Sequence, residues 1–356
     1  MTAAAAGAMS SVPAPAVLSA PSADWDDFVS RQPDASVYFR SGWTALAHEV
    51  FRHRAFFIEC RNASGELTGV LPLVQQRGLL GNFATSIPFF NYGGALATSD
   101  AVRNALMARA RDLANELRCS YLELRDINPQ ADGWQCRTDK VTMILQLPVT
   151  VEALGKQLGS KLRSQVKRAD REPVAVRAGG SELVDAFYDV FAHNMRDLGT
   201  PVYPKRFFHA IVKRFPERTR LIVIDLNGAP AAAGFLVLDG KRAEIPWASC
   251  RAEAKPFGLN MKLYWEELSF TIGHGCTSFD FGRSTLDSGT YKFKKQWGAA
   301  PQQLHWYRWE RKPASDGAVH GGSEGRLMRL ATSVWQRLPI GVANFLGPIV
   351  SPGLPW

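Results

Sequence analysis

Two stretches of the chain repeat one order of predicted elements, and this repeat constrains the fold more than any other feature. In the first stretch, runs of apolar residues predict strands over residues 55–61 and 67–74, joined by a turn. A helix over 101–118 and a strand over 119–125 follow. This half therefore contains a β-hairpin, a helix and a further strand.

The second stretch follows the same order with similar spacing. Strands over 220–226 and 231–238 are joined at Asn227-Gly228, a dipeptide typical of a tight hairpin turn. A helix over 257–273 and a strand over 276–281 come next. Such units recur by chance, but agreement in both order and spacing favours a duplication. The predicted fold class is α/β (α+β), with mixed, mostly antiparallel sheets flanked by helices.

The repeat divides the chain into two predicted domains, over residues 23–150 and 151–312. Residues 1–22, rich in Ala, Ser and Pro, are expected to be a disordered tail, because they lack the pattern of a signal peptide. A basic connecting helix is predicted over 151–172, where Pro173 ends it.

A third part of the chain follows the two domains. Residues 313–325 are rich in Gly and Ser, which predicts a linker, and residues 326–356 form an amphipathic tail. The tail carries arginines between apolar residues, a composition that suits a membrane surface with anionic headgroups. Docking on the protein itself or on a partner copy is the alternative, and the pattern slightly favours it.

The charge and cysteine content restrict the classes of partner and site. The formal net charge of +9 favours an anionic partner, which includes nucleic acid, a phosphorylated cofactor and a membrane surface. No uncharged apolar stretch is long enough to predict a membrane-spanning helix. The five cysteines are widely spaced, which predicts buried, reduced thiols in a cytoplasmic protein and no zinc site.

The predicted connecting helix is strongly basic. Its apolar residues recur every four positions from Leu154 to Val166, which gives a narrow apolar face. Like charges follow one another on the remaining surface with few acids between them. We therefore predict that Lys161, Arg163 and Arg168 contact an anion, and a solvated helix face is the alternative.

Residues 280–298 combine the end of a buried strand, a polar turn and a short basic helix. Strand ends that open into polar loops are where α/β sheets place ligands. Lys294 is expected to point away from Lys292 and Lys295 and to be solvated. The side chains expected to converge on an anionic ligand are those of Asp280, Arg283, Ser284, Tyr291, Lys292 and Lys295.

Four strings carry a resemblance to a known family: residues 88–94, 160–169, 193–203 and 281–298. With these strings the chain resembles FemAB-type members of the GNAT acyltransferase superfamily, and most resembles the FemAB-like proteins associated with exosortase/PEP-CTERM systems. The resemblance implies tandem GNAT-like domains, no metal and no tightly bound cofactor.

The resemblance also implies an activity, the transfer of an acyl or aminoacyl group to an amine. The donor would be acyl-CoA or aminoacyl-tRNA, used as a co-substrate. The expected acceptor is an amine-bearing precursor of the cell envelope or of an exopolysaccharide. The expected location is the cytoplasm, including the inner face of the membrane. A non-catalytic module that binds an anionic ligand on the same duplicated fold is the alternative.

Acyl transfer requires that the amine lose a proton, that the oxyanion be stabilised and that the leaving group be protonated. The resemblance places Glu244 as general base on the strand beside the reacting carbonyl, where Pro246 is expected to open the sheet. Asp280 is the second candidate base and Tyr291 the candidate general acid. Their alternatives are a solvent-facing acid, a structural acid and a packed aromatic ring.

The remaining predicted residues belong to the donor and acceptor sites. The helix that follows Glu244 begins near Gly258, and its N-terminus could bind a phosphate, although the glycine pattern usual in the family is incomplete. The predicted cofactor-binding residues are Lys255, Gly258, Leu259 and Asn260. Those predicted to bind the acceptor, besides the residues named above, are Asn194, Asp197, Tyr203 and Trp247.

Overall fold

A computed structural model describes residues 12–33, 35–78, 81–129, 134–312 and 323–354, with the side chains of the last range described from residue 329. The strands are β1 (Ala16–Leu18), β2 (Arg54–Arg61), β3 (Leu67–Gly78), β4 (Gly81–Thr85), β5 (Leu96–Ala97), β6 (Tyr121–Asp126), β7 (Gln135–Arg137), β8 (Lys140–Gln146), β9 (Val174–Gly179), β10 (Thr219–Leu226), β11 (Ala229–Asp239), β12 (Arg242–Cys250), β13 (Ser278–Thr285), β14 (Ala300–Gln303) and β15 (His305–Glu310).

Helices flank these strands, and short 3-10 turns connect several of them. The helices are α1 (Trp25–Arg31), α2 (Ser41–Phe51), α3 (Asp100–Glu116), α4 (Val151–Gln157), α5 (Ser160–Arg168), α6 (Val184–Asp197), α7 (Lys205–Arg214), α8 (Leu259–Gly273), α9 (Gly289–Lys295), α10 (Ser323–Gln336) and α11 (Ile340–Val350).

The strands form two sheets with the same order and the same directions. The first sheet runs β1-β2-β3-β4-β6-β15-β7, with β5 added beside β3, and the second runs β9-β10-β11-β12-β13-β8-β14. In each sheet the fourth and fifth strands are parallel, and the other neighbours along this path are antiparallel. This agreement matches the duplication that the repeat predicted.

The two halves exchange one strand each. Strand β8 precedes α4 in the chain but pairs with β13 and β14 of the second sheet. Strand β15 follows the second half but pairs with β6 and β7 of the first sheet. The predicted domain division at residues 150 and 151 therefore does not coincide with the division between the sheets, because each sheet takes its sixth strand from the other half.

A shared apolar core joins the halves as well. Helix α2 of the first half packs on α7 of the second, where the rings of Trp43 and Phe215 stack with centroids 4.5 Å apart. Phe51 meets Phe207 in the same core, with centroids 5.1 Å apart. Because both halves bury aromatic rings in one cluster, neither presents this face to water.

Local sequence explains where several helices begin and end. Ser99, Thr150 and Ser288 precede α3, α4 and α9, and each side chain accepts a hydrogen bond from an amide of the first turn. The predicted single helix over 151–172 is wrong: the helix breaks at Leu158 and Gly159 into α4 and α5. Glycine favours such a break, and the Arg163 guanidinium donates to the Leu158 carbonyl oxygen at 2.5 Å.

The structure differs in part from the predictions for the N-terminal tail and the cysteines. Ala16–Leu18 forms β1 on the open edge of β2, so the prediction of a disordered tail is wrong for these residues. Residues 1–11 and most of the predicted linker, 313–322, lie outside the described residues. Four cysteines are buried as predicted, whereas Cys136 is exposed because it lies on the edge strand β7.

The C-terminal tail docks on both halves. Gln336 Nε2 donates to the Asp197 carbonyl oxygen at 3.1 Å, and Gly347 packs so closely on Val202 that an added Cβ would lie 2.8 Å from it. Beyond α11, Gln76 Nε2 donates to the Pro352 carbonyl oxygen at 3.4 Å, which reaches the first half. Docking on the protein was the favoured alternative from the sequence.

One acid of the core has no hydrogen-bond partner among the described residues. Glu267 on α8 is fully buried, and neither carboxyl oxygen is bonded. Its carboxyl lies against Gly234 on β11, where an added Cβ would overlap it. Burial raises the pKa of Glu267 well above its ordinary value, so the folded protein holds this carboxyl in its neutral form.

We predict that Glu267→Gln stabilises the protein increasingly as the pH rises. Above pH of about 4.5 the unfolded chain ionises Glu267 while the folded chain keeps its proton, so the wild type loses up to about 1.4 kcal/mol per pH unit within this window. Urea unfolding at pH of about 5, 6.5 and 8 measures the difference between variant and wild type.

Glu266→Gln is the matched control, because Glu266 is the neighbouring acid, is half-buried, and forms an ion pair with Lys262 at 3.1 Å. This control should show no stabilisation that grows with pH. A constant difference between Glu267→Gln and the wild type across the three pH values would contradict a neutral buried Glu267.

Candidate functional site

The parallel strands β12 and β13 pair over only three positions and then separate. Their last paired residues are Glu244 and Asp280. Beyond them the register of β12 against β11 shifts between Glu244 and Trp247, where Ile245 and Pro246 form a β-bulge. Proline cannot donate a ladder hydrogen bond, so Pro246 fits the opening that the sequence predicted there.

The separated strands leave a cavity of about 340 Å³, here called the splay cavity. Both halves contribute to its wall. Its lining contains three cationic side chains and no carboxylate. The lining residues are Phe89, Phe90, Asn91, Arg125, Met195, Tyr203, Ile245, Pro246, Trp247, Ala248, Tyr264, Phe281, Gly282, Arg283, Thr290 and Lys294.

Lys294 is a buried cation in the wall of the splay cavity. Its ammonium donates to the carbonyl oxygens of Gly282 at 2.8 Å and Arg283 at 2.9 Å. An ammonium has three N–H donors, so among the described residues one remains for a ligand. Burial lowers the pKa of Lys294 to about 8, and the negative charge of Asp280 opposes this shift. The expectation that Lys294 is solvated is therefore wrong.

Asp280 lies where β12 and β13 separate and is held by three hydrogen bonds. It accepts from Thr142 Oγ1 at 2.5 Å, from Tyr92 Oη at 2.6 Å and from the Gly282 amide at 2.7 Å. Burial raises the pKa of Asp280, and these donors together with Lys294 oppose the shift. Thr142 belongs to the exchanged strand β8, and Tyr92 to the first half.

Glu244 is the second acid at this position and is less well satisfied. Only 6% of the residue is exposed, and its Oε1 has no hydrogen-bond partner among the described residues. Burial raises the pKa of Glu244 well above its ordinary value, and the charge of Asp280 adds to the shift. Tyr38, Asn91 and Lys294 lie near enough to oppose it. A buried acid of raised pKa suits proton transfer near neutral pH.

Residues of the first half cover the two acids. Phe90 stacks on Tyr38 with ring centroids 4.1 Å apart, and the Asn91 carbonyl oxygen accepts a hydrogen bond from Trp306 Nε1 at 3.0 Å. Tyr92 follows and reaches Asp280. Residues 90–92 therefore lie between two openings. Phe90 and Asn91 line the splay cavity, and Tyr92 lines the second opening.

The second opening, here called the inter-half groove, has a volume of about 470 Å³ and reaches Glu244 and Asp280 from the other side. Its wall is rich in amide and charged side chains. The polar and charged lining residues, besides these two acids, are Gln32, Ser36, Tyr92, Arg103, Asp126, Asn128, Gln146, Asp239, Lys241, Arg242, Thr277, Ser278 and Gln302.

The corresponding position of the first half is closed. Strands β4 and β6 pair through Thr85 and Glu123, which match Glu244 and Asp280 by topology. The next residue, Ser86, continues the contact, since its amide donates to the Glu123 carbonyl oxygen at 3.0 Å. Arg125 neutralises Glu123 with an ion pair of 2.9 Å. This pairing gives Glu123 a structural role.

Arginines surround Trp306 at the rim of the splay cavity. The guanidinium carbons of Arg125 and Arg283 lie 4.3 Å and 4.9 Å from its ring centroid, and that of Arg137 lies 6.0 Å away. Surrounding protein and the charge of Arg125 lower the pKa of Arg283 to about 10. Arg283 has no acidic partner among the described residues, so its charge can face a ligand.

The structure places five predicted residues at the splay cavity or at the inter-half groove. Glu244 and Asp280 form the acid pair, and Tyr203, Trp247 and Arg283 line the cavity. Their functional roles stay predictions.

Other predicted residues lie elsewhere. Lys292 and Lys295 are exposed, and Tyr291 packs in the apolar core of the second half. Ser284 is buried away from both openings, while Asp197 pairs with Arg196 at 2.7 Å. Asn194 Nδ2 donates to Ser249 Oγ at 3.2 Å and lines neither opening. Helical spacing accounts for the burial of Lys294, which lies three residues after the buried Tyr291 and shares its side of the helix.

The predicted donor residues surround the start of α8. Gly258 adopts a positive φ of 83° and donates its amide to the Lys255 carbonyl oxygen, and Leu259 is fully buried. An added Cβ at Gly258 would lie 2.9 Å from the Gln165 carbonyl oxygen, so α5 packs directly over Gly258 at the start of α8. Lys255 and Asn260 remain accessible. On α5 the predicted anion contacts Lys161, Arg163 and Arg168 are exposed.

Sequence reasoning missed Lys294, Tyr92, Thr142 and Trp306. Lys294 lies three residues after Tyr291, and this helical spacing from an aromatic residue is a signal of burial. Tyr92 lies within the string 88–94, which was noted without an assigned role. Thr142 and Trp306 carry no local signal, because they reach the site through the strand exchange.

Among the described residues, no group of three or more His, Cys, Asp or Glu side chains is placed to hold a metal ion. No helix of the described part of the chain is long and apolar enough to cross a membrane.

Comparisons with known proteins agree with this architecture. Residues 157–295 match the family model described as an acetyltransferase (GNAT) domain. The structure is similar to that of FemX, with a TM-score of 0.60 at 14% identity over 82% of this chain and 97% of the other. It is also similar to L-PGS from Bacillus licheniformis, with a TM-score of 0.53 at 12% identity over 83% and 93%.

A conserved protein of unknown function from Bacteroides thetaiotaomicron is similar as well, with a TM-score of 0.55 at 10% identity over 83% of this chain and 98% of the other. The curated proteins contain no significant match. At these identities the likeness concerns the fold, which is the tandem GNAT-like fold of two mixed, mostly antiparallel sheets with flanking helices.

We predict that Tyr92→Phe lowers the free energy of unfolding by about 1–2 kcal/mol, because a buried carboxyl loses one of its hydrogen-bond donors. Urea unfolding measures this change. Tyr38→Phe is the matched control, because Tyr38 is buried beside the same segment and its hydroxyl makes no hydrogen bond to Asp280. Equal losses in the two variants would contradict a specific role for the bond between Tyr92 and Asp280.

Proposed function

We propose that the protein transfers an acyl or aminoacyl group from an activated donor to an amine. The separation of β12 and β13 beyond Glu244 and Asp280 carries this proposal. It opens a cavity that has a buried cation in its wall, and the acid pair at the point of separation lines a second opening. The match of residues 157–295 to an acetyltransferase (GNAT) domain supports the same class of reaction.

Glu244 acts in this proposal as the general base. Its carboxylate takes a proton from the attacking amine while the amine nitrogen forms a bond to the donor carbonyl carbon. When the tetrahedral intermediate collapses, the bond to the leaving sulfur or oxygen breaks, and Glu244 returns the proton to that atom. Burial raises the pKa of Glu244, and the charge of Asp280 adds to the shift, so the ionised carboxylate is a stronger base than an exposed one.

Lys294 stabilises the oxyanion of the intermediate. Its position is fixed by the two carbonyl oxygens of Gly282 and Arg283, which leaves one N–H for the developing charge. A cation held in a partly dehydrated cavity interacts with an oxyanion more strongly than one in water. The role of Tyr291 as general acid stays part of the sequence prediction, and its position in the apolar core lends it no support.

We place the donor in the splay cavity and the acceptor in the inter-half groove. Arg125, Arg283 and Lys294 give the splay cavity a positive lining that suits the phosphates of acyl-CoA or of an aminoacyl-tRNA 3′ end. Amide side chains in the groove, among them Gln32 and Asn128, suit the hydroxyls of a sugar. These features support an amine-bearing envelope or exopolysaccharide precursor as acceptor, met in the cytoplasm or at the inner face of the membrane.

We predict that Glu244→Gln lowers kcat by a factor of about 10² or more, because the amide cannot accept the proton. The assay supplies acetyl-CoA or a mixture of aminoacyl-tRNAs with glucosamine as the amine, and it follows donor consumption together with the mass of the product. Affinity for the donor should change little, since Glu244 does not line the splay cavity.

Glu267→Gln is the matched control, because it replaces another buried acid of raised pKa that lines neither opening. It should retain wild-type kcat. Full activity of Glu244→Gln would refute the assigned base. Binding of a donor without turnover in the wild type, with glucosamine and with simple diamines, would favour the alternative of a non-catalytic module that binds an anionic ligand.

We also predict that Lys294→Met lowers kcat by a factor of about 10²–10³ through loss of oxyanion stabilisation. In the wild type, kcat should fall as the pH rises through about 8, because Lys294 then loses its positive charge. The variant should lack this alkaline decline. Lys292→Met is the control, since Lys292 lies on the same helix and is exposed. An unchanged alkaline decline in Lys294→Met would assign it to another group.

A further inference from the structure

The C-terminal tail has an inner face that is packed and an outer face that is not. On α11, Ala343 and Gly347 are buried, and Gly347 lies against Val202. On α10, Thr332 and Gln336 lie against Gly199. These residues recur at spacings of four, so each helix rests on the protein along one row.

The opposite rows expose large apolar side chains. On α11, Phe345 and Ile349 are 72% and 65% exposed, with Val342 beside them, and on α10 Leu330 is 62% exposed, with Val334 one turn further. Half of the large apolar side chains that are exposed in the described residues belong to this one segment. Scattered exposed apolar residues are ordinary, but a concentration of this kind marks a contact surface.

The charges of the segment are positive beyond Glu324, which lies in the first turn of α10. From residue 325 to residue 356 the sequence contains three arginines and no aspartate, glutamate or lysine. Arg329 and Arg337 are exposed. Arg337 lies three residues after Val334 and therefore next to it on the helix surface. Exposed apolar side chains and arginines therefore occur on both helices, and this set is here called the outer tail face: Arg329, Leu330, Val334, Arg337, Val342, Phe345 and Ile349.

We propose that the outer tail face binds the surface of an anionic membrane. Its apolar side chains enter the boundary between headgroups and acyl chains, and its arginines contact lipid phosphates. The two helices lie along the surface, since neither is long and apolar enough to cross a bilayer. The arginines favour an anionic partner, and large exposed apolar side chains on helices that lie on the surface suit the headgroup boundary of a lipid bilayer better than a polar protein face.

This contact would also place the reaction site relative to the membrane. The tail packs on Gly199 and Val202, and the next residue, Tyr203, lines the splay cavity. The proposal does not depend on the proposed transferase activity, because it rests on the outer tail face alone. Its test therefore uses binding and needs no substrate.

The experiment is co-sedimentation of the full-length protein with vesicles of two compositions. One is phosphatidylcholine alone, and the other contains about one third phosphatidylglycerol at low salt. We expect binding to the anionic vesicles that weakens with added salt. The double variant Phe345→Ser/Ile349→Ser should bind at least about tenfold more weakly, and Arg329→Gln/Arg337→Gln should lose much of the preference for the anionic vesicles.

Val149→Ser is the matched control, because Val149 is 93% exposed and lies far from the tail in sequence. It should bind like the wild type. All variants should unfold in urea like the wild type, since the changed side chains are exposed. No wild-type binding to anionic vesicles, or equal binding by Phe345→Ser/Ile349→Ser, would overturn the proposal.

A second copy of the chain is the competing occupant of this face. Sedimentation velocity without vesicles distinguishes it: a wild-type dimer that Phe345→Ser/Ile349→Ser converts to a monomer would assign the outer tail face to self-association and overturn the membrane proposal.

Discussion

The exchange of β8 and β15 between the two sheets is the constraint on which the rest of the structure depends. Each sheet obtains its sixth strand from the other half, so neither sheet is complete without its partner. The exchanged strands also supply the site: Thr142 of β8 donates to Asp280, and Trp306 of β15 holds Arg125 and Arg283 at its ring. Cohesion of the halves and assembly of the site therefore have the same physical origin.

The two halves share a topology but use it differently. In the first half, Ser86 continues the contact between β4 and β6, and Arg125 neutralises Glu123. In the second half, the bulge at Pro246 separates the corresponding strands, and Glu244 Oε1 has no hydrogen-bond partner within the described part of the chain. A duplicated fold can thus hold one closed, structural copy and one open copy, with the closed copy covering the acids of the open one.

The sequence predicted much of the fold because hairpin turns and strand periodicity are local signals. It also identified Glu244 and Asp280, the acids at which the parallel strands separate, although their roles rest on resemblance. It misplaced the lysines of α9, since only the packing of Tyr291 shows which helix face is buried. It assigned no role to Tyr92, whose hydroxyl reaches across the halves to Asp280.

The sequence by itself determined the order of elements, the duplication, the basic charge and the acids of the second half, since each depends on neighbouring residues in the chain. Only the tertiary structure decided which sheet receives β8 and β15, that Lys294 is buried, and that the acid pair lines the inter-half groove. These features depend on contacts between residues far apart in sequence, such as Tyr92 with Asp280, which no local periodicity encodes.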